Sequence, residues 1–145
     1  MSHKIVPTIS SGTAGPLGVL HLPRLWQKMS LGAVGKLADG YKNCGPGYDL
    51  MVLDALGVSQ EALVSFVAAN KPSYTQFEKF FADNATKLNA ASIAEINAAV
   101  AGYQHSDDTR KSILASVGLP DGKPTDAVNL NNLDDWQEFY ASEIA

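Results

Sequence analysis

The strongest constraint in this sequence is how often its helical periodicity is interrupted. Apolar residues recur at three- and four-residue spacing, but each run lasts about 8–16 residues before Gly, Pro or a capping residue ends it. Leu20-His21-Leu22-Pro23 opens the first run, and Pro23 suits a first helical turn, where a missing N–H leaves no bond unmade. Leu22, Leu25, Trp26, Met29 and Ala33 then share one face, until Gly32, Gly35 and Gly40 weaken and end the helix. Residues 41–48, with Asn43-Cys44-Gly45-Pro46-Gly47, carry turn chemistry. Asp49 is expected to cap a short helix containing Leu50, Leu53 and Leu56, closed by Gly57. Ser59 opens another, which ends before Pro72.

Two capping boxes follow, Ser73-Tyr74-Thr75-Gln76 and Ser92-Ile93-Ala94-Glu95. The first precedes a face of Tyr74, Phe77, Phe81 and Leu88, the second a face of Ile93, Ile96, Val100 and Tyr103. Ser106-Asp107-Asp108 starts a helix with Ile113, Leu114 and Val117, stopped by Gly118 and Pro120. Asn131-Asn132 is expected to cap a last helix over residues 133–142, with Asp134 and Asp135 in its first turn and Trp136 in the core, as Trp26 is. The best strand candidate, Ala127-Val128-Asn129-Leu130, is very short. The expectation is an all-α protein: one compact domain over residues 19–145, with about seven short helices in a non-bundle, orthogonal array. Residues 1–18, rich in Ser, Gly, Pro and Thr, form an extended arm or tail.

Composition narrows the function classes. A chain of 145 residues buries about two-thirds of its surface, enough for one core and not two. With 46% hydrophobic residues and a net charge of -4, disorder throughout is excluded. No apolar run approaches the ~18 residues of a membrane span. A single cysteine excludes a disulfide framework and a cysteine-based zinc site. The opening Met1-Ser2-His3-Lys4-Ile5-Val6-Pro7 lacks the apolar core of a secretory signal, so the cytoplasm is the expected location. Residues 1–72 hold six Lys/Arg against four Asp/Glu, and residues 73–145 five against eleven. That balance argues against a nucleic-acid partner, which normally meets a basic face. It also lets the halves attract each other, within one fold or between two copies.

Gly32-Ala33-Val34-Gly35-Lys36-Leu37 fails as a phosphate loop, because Ser30 stands where a glycine is needed and Leu37 where the magnesium-binding hydroxyl is needed. The candidate ligand site is His21, Arg24 and Lys28, which share one helix face, with His21 and Arg24 at the helix start, where free N–H groups attract anions. A planar guanidinium, an ammonium and an imidazole can together grip a carboxylate or phosphate. Alternatively, Arg24 and Lys28 face solvent or pair with Asp or Glu. Cations at a helix start oppose the dipole, so a compensating partner is expected. Cys44 is a weak candidate nucleophile if His21 approaches it, though free cysteine is more often a small hydrophobe. Asp49 is a candidate acid/base or partner of Arg24, against its reading as a cap. His105-Ser106-Asp107-Asp108 has metal-capable groups, but a helix cap explains the aspartates; no metal or other cofactor is expected.

The segments His21-Leu22-Pro23-Arg24-Leu25, the 44–49 turn with Leu53-Asp54-Ala55-Leu56-Gly57-Val58, Lys71-Pro72-Ser73-Tyr74 and Ala127-Val128-Asn129-Leu130-Asn131-Asn132-Leu133-Asp134-Asp135-Trp136 together resemble a family of small bacterial proteins catalogued as a domain of unknown function. The resemblance spans about residues 15–140 and implies a single small helical domain, with no activity attached. In that family an acidic residue usually stands just before the lysine, where this chain has Gln27. If the acid pairs with the lysine, its loss leaves Lys28 freer for another anion. Three functions compete at this point: a binding protein for a small anionic ligand, a structural or homodimeric interaction module, and a small enzyme using Cys44 or His21 with Asp49.

Overall fold

The structure, a computed structural model, describes residues 3–145. Seven helices follow one another: α1 (Leu22–Ala33), α2 (Tyr48–Leu56), α3 (Gln60–Asn70), α4 (Tyr74–Asn84), α5 (Ala90–Gly102), α6 (Asp107–Ser116) and α7 (Ala127–Glu143). The described residues contain isolated β-bridges and no sheet. The fold is therefore all-α and non-bundle: the chain turns by 104° between α2 and α3, and α1 packs on α3 and α4 while α5 packs on α2 and α7. Among the described residues no single helix is long and apolar enough to cross a membrane.

The core follows the helical stripes. Leu22, Leu25 and Met29 of α1 meet Val52, Leu53 and Leu56 of α2, Leu63 and Val67 of α3, Phe77 and Phe81 of α4, and Ile96 and Val100 of α5. Ser59, Ser73 and Ser106 cap α3, α4 and α6 as their positions suggest. Gly57 closes α2 in the left-handed conformation.

Three helix starts differ from expectation. The capping box of α5 is Asn89 with Ser92, one turn earlier than Ser92 with Glu95, because Asn89 satisfies the Ser92 N–H and Ser92 Oγ returns the bond. Helix α7 begins at Ala127 under an Asp126 cap, so the strand candidate is its first turn and Asp134 and Asp135 lie inside it. Its buried positions are Ala127, Leu130 and Asp135. Trp136, one residue beyond Asp135 and so about 100° further around the helix, is 64% exposed and not in the core. Asp49 does not cap α2. Gly47, at φ 98°, is the N-cap, a conformation that favours glycine, and no side chain bonds the helix start.

The arm is extended but is closed down on the helices. Ile5 bridges to Leu37 and Ala14 to Leu20, and Val6, Ser11 and Val19 are buried. Gln27 holds it: its Oε1 accepts from the Thr8 and Ile9 N–H groups at 2.9 and 3.1 Å, and its Nε2 donates to Thr8 Oγ1. Gln27 therefore serves the arm and leaves Lys28 to other partners.

Candidate functional site

The arm, the start of α1, the 40–49 turn, residues 103–105 and the middle of α7 line an open-mouthed cavity of about 420 Å³. His21, Arg24 and Lys28 all line it, with Ser11, Tyr41, Lys42, Tyr103, His105, Asn131 and Asp134. The helical spacing thus brings the three candidate residues to one place. It does not leave the two cations free. Arg24 makes a two-pronged pair with Asp135, at 2.5 Å from Nη1 and 3.1 Å from Nη2, and Nη1 also donates to the Ile9 carbonyl. Lys28 Nζ donates to Asp49 Oδ2 at 2.6 Å. The grip by unpaired cations is thereby corrected: each is compensated by a carboxylate, as buried charge requires. Asp49 partners Lys28 and His21 rather than Arg24.

Asp49 is buried at the first turn of α2, and three donors converge on it: His21 Nε2 at 2.6 Å, Lys28 Nζ, and the Gly45 N–H at 2.9 Å. Burial alone would raise its carboxyl. The His21 hydrogen bond and the Lys28 ammonium outweigh burial and hold it below the usual carboxylate range. For His21, burial dominates; it outweighs the Asp49 contact and pushes the imidazole below its ordinary value of 6.5. The ring is consequently neutral at pH 7 and the carboxylate ionised. An ionised carboxylate only accepts, so the imidazole proton sits on Nε2. Nδ1 is left with its lone pair, 2.9 Å from Ser11 Oγ. The hydroxyl therefore donates to the imidazole, and the order Ser11–His21–Asp49–Lys28 is fixed by charge.

The backbone supports this placement. His21 is the N-cap of α1 at φ 73°, a left-handed conformation uncommon away from glycine. Its N–H is held by the Thr13 carbonyl at 3.1 Å, and its ring packs at 5.3 Å from that of Tyr48. On the other wall, Tyr41 donates to Asp135 at 2.9 Å, and His105 Nε2 contacts Asn131 Oδ1 at 2.8 Å. Asp134 is half-buried, and burial, followed by the nearby Asp135 and Glu138, raises its carboxyl.

The conditions that would activate Cys44 as a nucleophile are not met. Burial and the Asp49 carboxylate push its thiol up to about 11, opposite to activation, and no hydrogen bond joins it to His21 among the described residues. Ser11, Tyr41, Lys42 and Asp135 carried no local signal. They reach the site through chain reversals, Asp135 from 111 residues beyond Arg24. In comparisons with known proteins, no family model and no curated protein matches the chain.

Proposed function

We propose that the protein binds a small anionic molecule in this cavity. The observation that carries the reading is the convergence of two uncapped helix starts. The described helices α3 to α7 all have a side-chain cap, whereas α1 and α2, whose starts reach the cavity at His21 and Arg24 and at Gly47, Tyr48 and Asp49, have none. Free N–H groups and the dipole at both starts favour negative charge. Arg24 and Lys28 retain donors beyond those given to Asp135 and Asp49, and the exposed Lys42 has no carboxylate partner among the described residues. A volume of about 420 Å³ suits a metabolite-sized ligand.

A thermal-shift series with phosphate, pyrophosphate and citrate, against chloride at matched ionic strength, tests this. A ligand at 100 times its Kd contributes about 2.7 kcal/mol, and so raises Tm by about 5–11 °C for a chain of this size. Lys42→Glu should weaken the shift at least tenfold in ligand concentration. Equal melting temperatures in all four salts would refute the reading.

A second reading, an interaction module that pairs with its own copy, draws on α7. Trp136, Phe139, Tyr140 and Ile144 are all exposed and recur at i, i+3, i+4 and i+8 along one face. Sedimentation velocity at micromolar concentration, with Trp136→Ser as control, tests it; a monomer throughout refutes it.

A further inference from the structure

We propose that Ser11, His21 and Asp49 form a nucleophile, base and orienting carboxylate for acyl transfer from a small carboxylic ester that carries an anionic group. The anionic group rests on the proposed ligand reading; the reactive set rests on its own geometry. Ser11 Oγ makes one hydrogen bond among the described residues, to an imidazole nitrogen that carries a lone pair. The opposite ring nitrogen donates to a carboxylate that Lys28 and the Gly45 N–H immobilise. Base and nucleophile lie within hydrogen-bond reach, the base is oriented by a third group, and Ser11 and His21 both line the cavity. The ring is used in the reverse sense from the best-known serine hydrolases, with Nδ1 on the hydroxyl and Nε2 on the carboxylate. The roles depend on geometry and tautomer, and both are satisfied.

The steps balance. As the Oγ–carbon bond forms, the carbonyl electron pair moves to oxygen and the Oγ proton moves to His21 Nδ1. The imidazolium so created faces Asp49, which remains ionised. Collapse breaks the ester C–O bond, and the departing alkoxide takes the proton from Nδ1. Water then attacks the acyl carbon, gives its proton to Nδ1, and Ser11 leaves with that proton restored. The net change is ester plus water to acid plus alcohol. Ser11 and His21 are the catalytic residues. Asp49 and Lys28 are positioning residues, which act through the tautomer they impose.

The test uses the full chain and a neutral reagent, diisopropyl fluorophosphate, so it does not depend on anion binding. Attack by Oγ on phosphorus expels fluoride and passes the proton to His21. Peptide mapping should find one adduct, at Ser11, absent in Ser11→Ala. In a second arm, the thiol introduced by Ser11→Cys should react with iodoacetamide at pH 7 at least 100-fold faster than Cys44 in the same chain. Cys44, with its thiol at about 11, is the internal reference. An adduct at Ser11 or the fast thiol supports the set; failure of both in folded protein overturns it and leaves a structural tie between arm and helices. Protection of Ser11 by pyrophosphate supports the anionic substrate. Unprotected labelling overturns that part alone, and a missing thermal shift with labelling intact overturns only the ligand reading.

Discussion

Asp135→Ala is the most informative perturbation of the cavity wall. The carboxylate accepts two bonds from Arg24 and one from Tyr41, and the side chains of Arg24 and Asp135 are each only 8% exposed. Its removal leaves a buried guanidinium with the Ile9 carbonyl, at 2.9 Å, as its remaining partner, and a half-buried Tyr41 hydroxyl with none. Breaking a buried pair from one side costs about 3–5 kcal/mol. For a chain of this size each kcal/mol is worth about 2–4 °C, so Tm should fall by about 6–20 °C. Urea unfolding followed by circular dichroism measures the loss, with the slope unchanged if the native fold persists. The double variant Arg24→Met with Asp135→Leu removes both charges together and should cost less than either single change. A loss under about 1 kcal/mol for Asp135→Ala, or strict additivity in the double variant, would refute the claim that Asp135 compensates the buried Arg24.

The site also sets an acid response. Native His21 resists protonation while the unfolded chain takes up a proton below about its ordinary 6.5, so stability should decline as pH falls from there, by up to about 1.4 kcal/mol per unit. Asp49, held below its ordinary 3.8, adds a second loss as pH falls through that value; urea midpoints for His21→Gln should flatten the first window and narrow the second, because the His21 contact helps hold the Asp49 carboxyl down. Gly15→Ala places a Cβ 2.5 Å from the Tyr74 ring and 2.7 Å from Glu78 Oε2, disturbing the carboxylate that accepts the Leu17 N–H; a cost of about 1–3 kcal/mol is expected in urea, and a neutral result would mean that the arm shifts freely. Gln27→Glu keeps both bonds to the Thr8 and Ile9 N–H groups and loses only the donor to Thr8 Oγ1, so Tm should move by no more than about 2–4 °C per kcal/mol of a roughly 1 kcal/mol change.

By itself the sequence determined the helices, their number and the apolar faces that make the core, because caps, glycine stops and three-to-four spacing act over a single turn of chain. Leu22, Leu25, Phe77, Phe81 and Val100 were readable inward residues, and His21, Arg24 and Lys28 were readable as one face. Only tertiary structure decided what that face does. Ser11 approaches His21 through the folded arm, Asp49 through the 41–48 turn, and Asp135 from the far end of the chain. Local reading made Asp49 a cap and Trp136 a core residue for the same reason. The burial of a charge depends on which opposite charge packing brings to it, and the inward face of α7 is set by what packs against it, which buries Ala127, Leu130 and Asp135 and leaves Trp136 outside.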